Sequence, residues 1–250
     1  MSDDSNMQST YQLLADRLMN RYQSSADLQN NQLFVCVAGG PGSGKSTLSS
    51  AVAELINEKM MMQDQDDDSK AAVVLPMDGF HYSRSQLQSM GDSDTCQYTY
   101  EELLARRGAP WTFDAEGCIS AFSAARKNGE ANLPIYSRVK SDPVENGVQL
   151  LKSTKIVLLE GNYLLCWRCP RWAPLKDIFD ETWYISCKSS SDQRQRLVLR
   201  HLETWSEEKT KMWGAGEEGA GAKADANDML NAQWIDEMSR EFADLIVESL

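Results

Sequence analysis

The sequence predicts an α/β fold with a five-stranded parallel sheet flanked by helices. Short β-favouring runs alternate with helical patterns along the 250 residues, a glycine-rich loop joins the first run to a helix, and an acidic residue follows shortly after each of two other runs. Strands that alternate with helices form parallel sheets, because right-handed crossovers place the helices on both faces. The predicted strands are 33–37, 71–75, 155–159, 181–187 and 243–249.

Helical patterns fill most of the chain between these strands. Leu14, Leu18 and Tyr22 recur four residues apart, which predicts an amphipathic helix that packs on the sheet before the first strand. The predicted helices are 10–22, 45–61, 115–127, 193–205 and 227–234.

In four segments the apolar residues do not recur with the period of a helix or a strand. Residues 83–114 are polar and are predicted as helix and loop that cover a site. Residues 133–139 contain Pro134, which predicts an edge strand or an extended loop. Residues 214–226 are rich in glycine and alanine and are predicted as a flexible segment, the tip of a mobile lid. The aspartates at 64–68 are predicted as solvated loop, since the Gly and the closing Glu of a calcium-binding loop are missing.

The glycine-rich loop has the spacing G-x-x-x-x-G-K-S of a phosphate-binding loop. Its glycines let backbone N–H groups point at an anion, and the helix that follows directs its unpaired amides to the same place. Lys45 would reach the β- and γ-phosphates of ATP and the Ser46 hydroxyl would bind Mg²⁺. A flexible Gly-Ser linker would not lie between an apolar strand and an amphipathic helix. The predicted nucleotide-binding residues are Gly39, Gly40, Pro41, Gly42, Ser43, Gly44, Lys45, Ser46 and Thr47.

Two carboxylates follow predicted strands. Asp78 comes just after strand 71–75, and Glu160 comes just after strand 155–159. Ligands of open parallel sheets bind beyond the carboxyl ends of the strands, so both carboxylates are placed for chemistry. Asp78 is the first candidate for a general base.

The composition excludes several classes of partner. The formal net charge is −12, with 37 acidic and 25 basic residues, so neither a nucleic-acid backbone nor an anionic membrane is expected to be the main partner. No apolar run approaches the length of a membrane span, and the first ten residues are polar and acidic, which predicts a cytoplasmic protein. The six cysteines are expected to be reduced thiols. Whether the protein is a monomer or a homodimer stays open.

Several motifs together resemble one family of kinases. Their order and spacing are similar to those of the uridine kinase, phosphoribulokinase and bacterial-type pantothenate kinase group of P-loop kinases. The resemblance extends to a branch of fungal ATP-dependent kinases whose acceptor is unassigned. It implies a single domain, 1–250, with the P-loop NTPase fold and a lid at about 194–230. The matching segments are the phosphate loop, 77–82, 106–114, 134–138, 160–165, 196–201 and 227–232.

The resemblance also implies roles for single residues. Asp78 would accept the proton of a substrate hydroxyl, and Glu160 would support Mg²⁺ or its water. Arg196 and Arg200 would neutralise charge on the transferring phosphoryl group, although two arginines four residues apart also fit a solvated helix face. Asn231 would lie near the nucleotide base. The implied acceptor pocket consists of Phe80, His81, Tyr82, Arg107, Tyr136 and Arg138.

Some of these pocket residues also have a simpler reading. His81 fits equally well as a hydrogen-bonded neighbour of the site, and Tyr136 fits better as a packing residue than as a recognition residue.

Two functions are compatible with these motifs. The first is an ATP-dependent phosphotransferase with magnesium as cofactor, acting on a hydroxyl of a small polar metabolite such as a nucleoside or a sugar. The second is a P-loop switch or regulatory ATPase that acts on a protein partner. A switch has no need for a base aligned with a second ligand, so the segment 78–82 favours the kinase.

Overall fold

The computed structural model describes residues 2–62 and 70–249, so the aspartate cluster at 64–68 lies outside the described residues. The strands are β1 (Leu33–Ala38), β2 (Ala72–Pro76), β3 (Ala131–Ser137), β4 (Asp142–Leu150), β5 (Ile156–Gly161), β6 (Glu181–Cys187) and β7 (Leu245–Ser249). The α-helices are α1 (Ser2–Ser24), α2 (Lys45–Met61), α3 (Arg84–Gly91), α4 (Tyr100–Ala105), α5 (Ala115–Asn128), α6 (Ser190–Leu202), α7 (Glu207–Trp213), α8 (Gly216–Lys223) and α9 (Met229–Ser239).

Five strands form one parallel sheet in the order β2-β5-β1-β6-β7. This confirms the predicted α/β architecture. In the register of the three neighbouring strands, Glu160 of β5 pairs with both Val37 of β1 and Pro76 of β2. The carboxyl ends of these strands are therefore level, and the residues that follow them meet at one edge of the sheet.

Both faces of the sheet are covered by helices, which follows from the apolar character of its central strand. All six residues of β1 are buried. Leu33, Val35 and Val37 pack with apolar residues of α1 and α2 on one face. Phe34 and Cys36 pack with α5 and α9 on the other. A strand that is buried on both faces is typical of a doubly covered parallel sheet.

The segment predicted as an edge strand or extended loop is a strand of a second sheet. It forms β3, which pairs antiparallel with β4 and lies outside the five-stranded sheet. Strand β4 was not predicted, because Pro143, Asn146 and Gly147 lie within it and are disfavoured in strands. The hairpin packs closely on the segment after β2, since a Cβ on Gly79 would lie 2.1 Å from the carbonyl oxygen of Pro134.

The prediction of a flexible segment at 214–226 was wrong. Most of this segment is the helix α8, which packs on α6. Its small residues permit this packing, because a Cβ on Gly221 would lie 2.8 Å from Nη2 of Arg194 on α6. Ala220 and Ala224 are fully buried against Leu197 of α6. Tertiary contacts thus stabilise a helix whose glycine content opposes it.

No helix of residues 2–62 and 70–249 is long and apolar enough to cross a membrane. All six cysteines lie in these ranges as free thiols.

Helix α1 is longer than predicted and is anchored on the sheet by both apolar and charged contacts. Leu18 is fully buried, whereas Leu13 is 70% exposed. Arg17 Nε and Arg21 Nη1 contact the two carboxylate oxygens of the buried Glu181 at 2.6 and 2.8 Å. The helix is therefore an integral part of the folded domain.

The packing of α1 predicts unequal effects of two leucine truncations on stability. Leu18→Ala should lower the free energy of unfolding by about 2–5 kcal/mol, because it leaves a cavity in the core. Leu13→Ala on the exposed side of the same helix should change it by less than about 0.5 kcal/mol. Urea denaturation of both variants measures the difference, and equal effects would show that α1 does not pack on the sheet.

Candidate active site

The loop between β1 and α2 has the backbone that phosphate binding requires. Gly42 and Gly44 adopt φ of +77° and +86°, a region that L side chains rarely enter. A Cβ on Gly39 would lie 2.6 Å from the carbonyl oxygen of Ile185. Glycine is therefore needed at these positions, and the loop forms a tight turn into the first residue of α2.

The start of α2 is an uncapped helix N-terminus. Its N-cap residue is Gly44, and among the residues that the structure describes no side chain caps the first-turn amides. Lys45 is 8% exposed, and its ammonium makes no hydrogen bond or ion pair to the described residues. The buried hydroxyl of Ser43 also lacks a hydrogen-bond partner among them. Unpaired donors around a glycine turn fit the phosphate groups of a nucleotide.

Ser46 and Glu160 connect the phosphate loop to the neighbouring strand. The Ser46 hydroxyl donates a hydrogen bond to Glu160 Oε2 at 3.1 Å. A hydroxyl and a carboxylate are the oxygen donors that Mg²⁺ accepts, and this ion usually completes its shell with water and substrate phosphates. In the described part of the chain there is no cluster of three or more His, Cys, Asp or Glu side chains that would bind a metal without a nucleotide. The pair therefore fits a magnesium ion that enters with ATP.

The electrostatic environment of Glu160 is set by burial and by the charges around it. Burial raises the pKa of Glu160, and the nearby Asp78 raises it further. Lys45, the hydrogen bond from Ser46 and Arg138 act in the opposite direction but do not cancel the increase. Two carboxylates at adjacent strand ends thus repel each other, which favours the binding of a cation or a proton between them.

Asp78 lies in a helical turn directly after β2. The turn is Met77–Phe80, and Asp78 within it is half-buried. Its carboxylate accepts no hydrogen bond from residues 2–62 or 70–249, while its carbonyl oxygen is 2.8 Å from His81 Nδ1. The carboxylate is thus available to a ligand, as expected of a general base.

Aromatic rings form one side of the predicted acceptor pocket. The centroid of the His81 ring is 3.9 Å from that of Phe113 and 5.0 Å from that of Tyr136. Burial lowers the pKa of His81, and the charge of Asp78 and the hydrogen bond to its carbonyl oxygen oppose the decrease without cancelling it, so the imidazole is neutral at neutral pH. Phe80 instead packs edge-on against Phe122, with a centroid distance of 5.4 Å, and is part of the core.

Arg107 joins the hairpin to the loop above the pocket. Its Nη2 donates to Asp142 Oδ1 and to the carbonyl oxygen of Tyr82, both at 2.7 Å. Its guanidinium carbon is 5.3 Å from the ring centroid of Tyr136. These contacts would make Arg107 a wall of the predicted acceptor pocket, whereas Arg138 is exposed and forms no ion pair in the described ranges.

A groove opens next to this wall, along α3. Its volume is about 490 Å³. The groove is lined by Tyr82, Ser85, Gln86, Ser89 and Met90.

The two predicted lid arginines lie on α6 and contact different parts of the protein. Arg196 Nη1 donates to Ser249 Oγ at 2.9 Å and lies 3.8 Å from the position of a Cβ on Gly44. Arg200 Nη2 is 3.7 Å from Asp228 Oδ1. Arg196 thus flanks the phosphate loop, and Arg200 lies one helical turn farther along α6.

Asn231 is buried next to the loop at 106–108. Its Nδ2 donates to Asn227 Oδ1 at 3.2 Å, and Asn227 Nδ2 donates to the carbonyl oxygen of Arg107 at 3.0 Å. Asn231 thus lies beside this loop, and the next residue, Ala232, packs against Gly40 of the phosphate loop, since a Cβ on Gly40 would lie 3.0 Å from its Cα.

Comparison with known proteins identifies the family. A Schizosaccharomyces pombe protein with a provisional uridine kinase name is 32% identical to this chain over 233 residues, which cover 92% of this chain and 89% of the yeast protein. This chain belongs to the uridine kinase-like P-loop kinases. The Eremothecium gossypii ATP-dependent kinase YFH7 is 28% identical over 195 residues, 66% of this chain and 54% of that protein. No family model matches this uridine kinase-like chain.

Solved structures share the fold of this uridine kinase-like protein. A crystal structure from Silicibacter sp. TM1040, provisionally described as a fructose transport system kinase, is 28% identical with a TM-score of 0.73 and covers 95% of this chain and 98% of its own. Saccharomyces cerevisiae YFH7, at 21% identity, has a TM-score of 0.72 with the same coverage. The relatives that are named ATP-dependent kinases support ATP use by this phosphotransferase.

Sequence reasoning missed the polar partners that fix this uridine kinase-like site. Asp142 binds Arg107, and Gln193 Nε2 donates to the carbonyl oxygen of Pro41 at 2.7 Å. Asp228 accepts a hydrogen bond from His201. Of these three partners, only Asp228 lies in a segment that matches the family, 227–232, and the resemblance implied no role for it.

The buried Glu160 predicts a stability difference that grows with pH. The folded protein binds the Glu160 proton more tightly than the unfolded chain does, so stability is lost as pH rises from the ordinary pKa of 4.5 through the raised pKa. Glu160→Gln cannot titrate and still offers an oxygen to Ser46. Without nucleotide, it should match wild type in acid and exceed it in free energy of unfolding at neutral pH, as measured by urea denaturation at several pH values.

Glu54→Gln, which removes an exposed carboxylate from α2, is the matched control for lost net charge. An identical pH response of both variants, or a wild type more stable than Glu160→Gln at neutral pH, would contradict the assigned cost of the buried carboxylate.

Proposed function

We propose that this P-loop kinase transfers the γ-phosphate of ATP to a hydroxyl of a small polar metabolite. The observation that carries the proposal is the placement of two carboxylates at neighbouring strand ends beside the phosphate loop. Glu160 is hydrogen-bonded to Ser46 of the loop, whereas Asp78 is unpaired among the described residues and belongs to the turn that packs on the hairpin. One carboxylate thus serves the nucleotide side and the other serves a second ligand.

The residues of the phosphate loop would bind and orient ATP. The loop 39–47 would surround its phosphates with backbone N–H groups, and the Lys45 ammonium would contact the β- and γ-phosphates. Ser46 and Glu160 would hold Mg²⁺, which supplies positive charge to the phosphates when it is bound. Arg196, beside Gly44, and Arg200 would add positive charge from α6, in a lid at about 194–230.

Asp78 would act on the acceptor. As the acceptor oxygen bonds to the γ-phosphorus, the bond from that phosphorus to the β,γ-bridging oxygen breaks and ADP leaves. The hydroxyl proton passes to the Asp78 carboxylate. His81, Tyr82, Arg107, Tyr136 and Arg138 would form the pocket that orients the hydroxyl, and Phe80 would support it from the core.

The acceptor class is a small molecule with a free hydroxyl. The names of similar proteins refer to uridine and to a fructose transport system, and both uridine and fructose carry free hydroxyls. The groove along α3 contributes hydroxyl and amide side chains next to Tyr82, which suit a polar molecule.

Two substitutions test the division between the nucleotide and acceptor sides. Asp78→Asn preserves size but removes the proton acceptor, so ATP affinity should stay within about threefold of wild type while turnover falls about a hundredfold or more.

Lys45→Ala should lower turnover, because it removes the positive charge that contacts the phosphates. The loss of transition-state stabilisation should amount to several kcal/mol. ADP release with an acceptor found by screening hydroxyl compounds measures turnover, and calorimetry measures ATP affinity.

Loss of ATP binding in Asp78→Asn would make Asp78 a metal or structural residue, and near-normal turnover would exclude it as the base. If no hydroxyl compound stimulates ADP release but a protein partner does, the switch function is favoured instead.

A further inference from the structure

Asp228 is a buried carboxylate whose two oxygens face different side chains, those of His201 and Arg200. It is 8% exposed. Its Oδ2 is 2.8 Å from His201 Nε2, and its Oδ1 is 3.7 Å from Arg200 Nη2. Burial acts to raise the pKa of Asp228, but the hydrogen bond with His201 and the charges of Lys223 and Arg200 lower it on balance. The carboxylate is therefore ionised, with its orientation fixed by His201.

An unusual backbone segment places this carboxylate. Asp228 is the last residue of the π-helical turn Ala224–Asp228, between α8 and α9. Such wide turns are rare and occur often at functional sites. In the same turn Asn227 donates to the carbonyl oxygen of Arg107, whereas Asp225 faces solvent. The turn thus sets Asp228 between α6 and the loop that bounds the acceptor pocket.

The contact with Arg200 leaves that arginine free to bind a ligand. A separation of 3.7 Å exceeds hydrogen-bond distance, so charge attraction holds the guanidinium without using its donors. The Arg200 side chain is 39% exposed. The pair of Arg194 and Asp225 is different, because Nε and Nη2 of Arg194 both donate hydrogen bonds to the Asp225 carboxylate, at 2.6 and 2.8 Å.

The neighbours of Arg200 contact both sides of the proposed site. Arg196, one turn earlier on α6, is beside Gly44 of the phosphate loop. Asp228, the partner of Arg200, is next in the chain to Asn227, which contacts the acceptor-side loop. The Arg200 guanidinium is therefore suited to bind the γ-phosphate, which is transferred from the nucleotide to the acceptor.

We propose that Asp228 is a positioning residue that holds Arg200 for the γ-phosphate of ATP. This inference rests on the proposed function, because Arg200 has this role only if ATP phosphates occupy the loop. An Asn at position 228 retains a hydrogen bond with His201 but removes the charge that attracts Arg200. The effect of that substitution must therefore depend on the presence of Arg200.

Binding of ADP and of the ATP analogue AMP-PNP, each with Mg²⁺, tests this dependence without an acceptor. The ratio of the two dissociation constants from calorimetry reports the contribution of the γ-phosphate. Arg200→Gln should lower the preference for AMP-PNP about fivefold or more, and Asp228→Asn should lower it at least about threefold. In the Arg200→Gln background, Asp228→Asn should change the preference less than about 1.5-fold, since the residue it acts through is absent.

Asp225→Asn is the matched control, because Asp225 also pairs with an arginine of α6 but faces solvent, and it should leave the preference unchanged. If Asp228→Asn does not fold, Asp228→Glu takes its place. By retaining the charge it should keep most of the wild-type preference, and a loss as large as that of Arg200→Gln would overturn the proposal.

Equal effects of Asp228→Asn with and without Arg200 would overturn the positioning role and leave the proposed function intact. A wild-type preference for AMP-PNP over ADP in Arg200→Gln would also overturn the positioning role and leave the proposed function intact. A wild-type protein that binds neither nucleotide would overturn both.

Discussion

The hydrogen bond between Ser46 and Glu160 is the contact on which the geometry of the site depends. It joins the first turn of α2 to the carboxyl end of β5 at 3.1 Å, and it is possible only because the register of the sheet makes Glu160 level with Val37, the penultimate residue of β1. A shift of one residue in β5 would turn the carboxylate to the other face of the sheet. The parallel register thus decides where a cation and the phosphates can meet.

The same arrangement creates an unfavourable charge distribution in the absence of ligand. Burial and the charge of Asp78 raise the pKa of Glu160, although Lys45 is close enough to oppose the increase. Polar groups that a core would exclude are therefore held at one edge of an otherwise apolar sheet, and among them the Ser43 hydroxyl has no hydrogen-bond partner in residues 2–62 and 70–249. A ligand that brings both phosphate and a divalent cation would satisfy these groups together.

The fold and the two carboxylates could be predicted because their signals are local. Asp78 and Glu160 each come shortly after an apolar run, and the ends of parallel strands meet at one edge. The helix at 216–223 could not be predicted, since its stability depends on close packing against α6 that composition does not reveal. Asp228 and Asp142 were missed as partners because their contacts join residues 27 and 35 positions apart, where no periodicity applies.

A crystal structure with Mg²⁺ and AMP-PNP tests the central claim, that one edge of the sheet binds a nucleotide on one side and an acceptor on the other. We expect the β- and γ-phosphates within the loop 39–47 and in contact with Lys45, and Mg²⁺ in contact with Ser46. We also expect Asp78 to be free of the metal. Glu160 should lie next to the ion or its water, and the Asp78 carboxylate should be open to the γ-phosphate from the side of His81. Phosphates bound elsewhere, or Asp78 coordinated to the metal and closed to a second ligand, would contradict it.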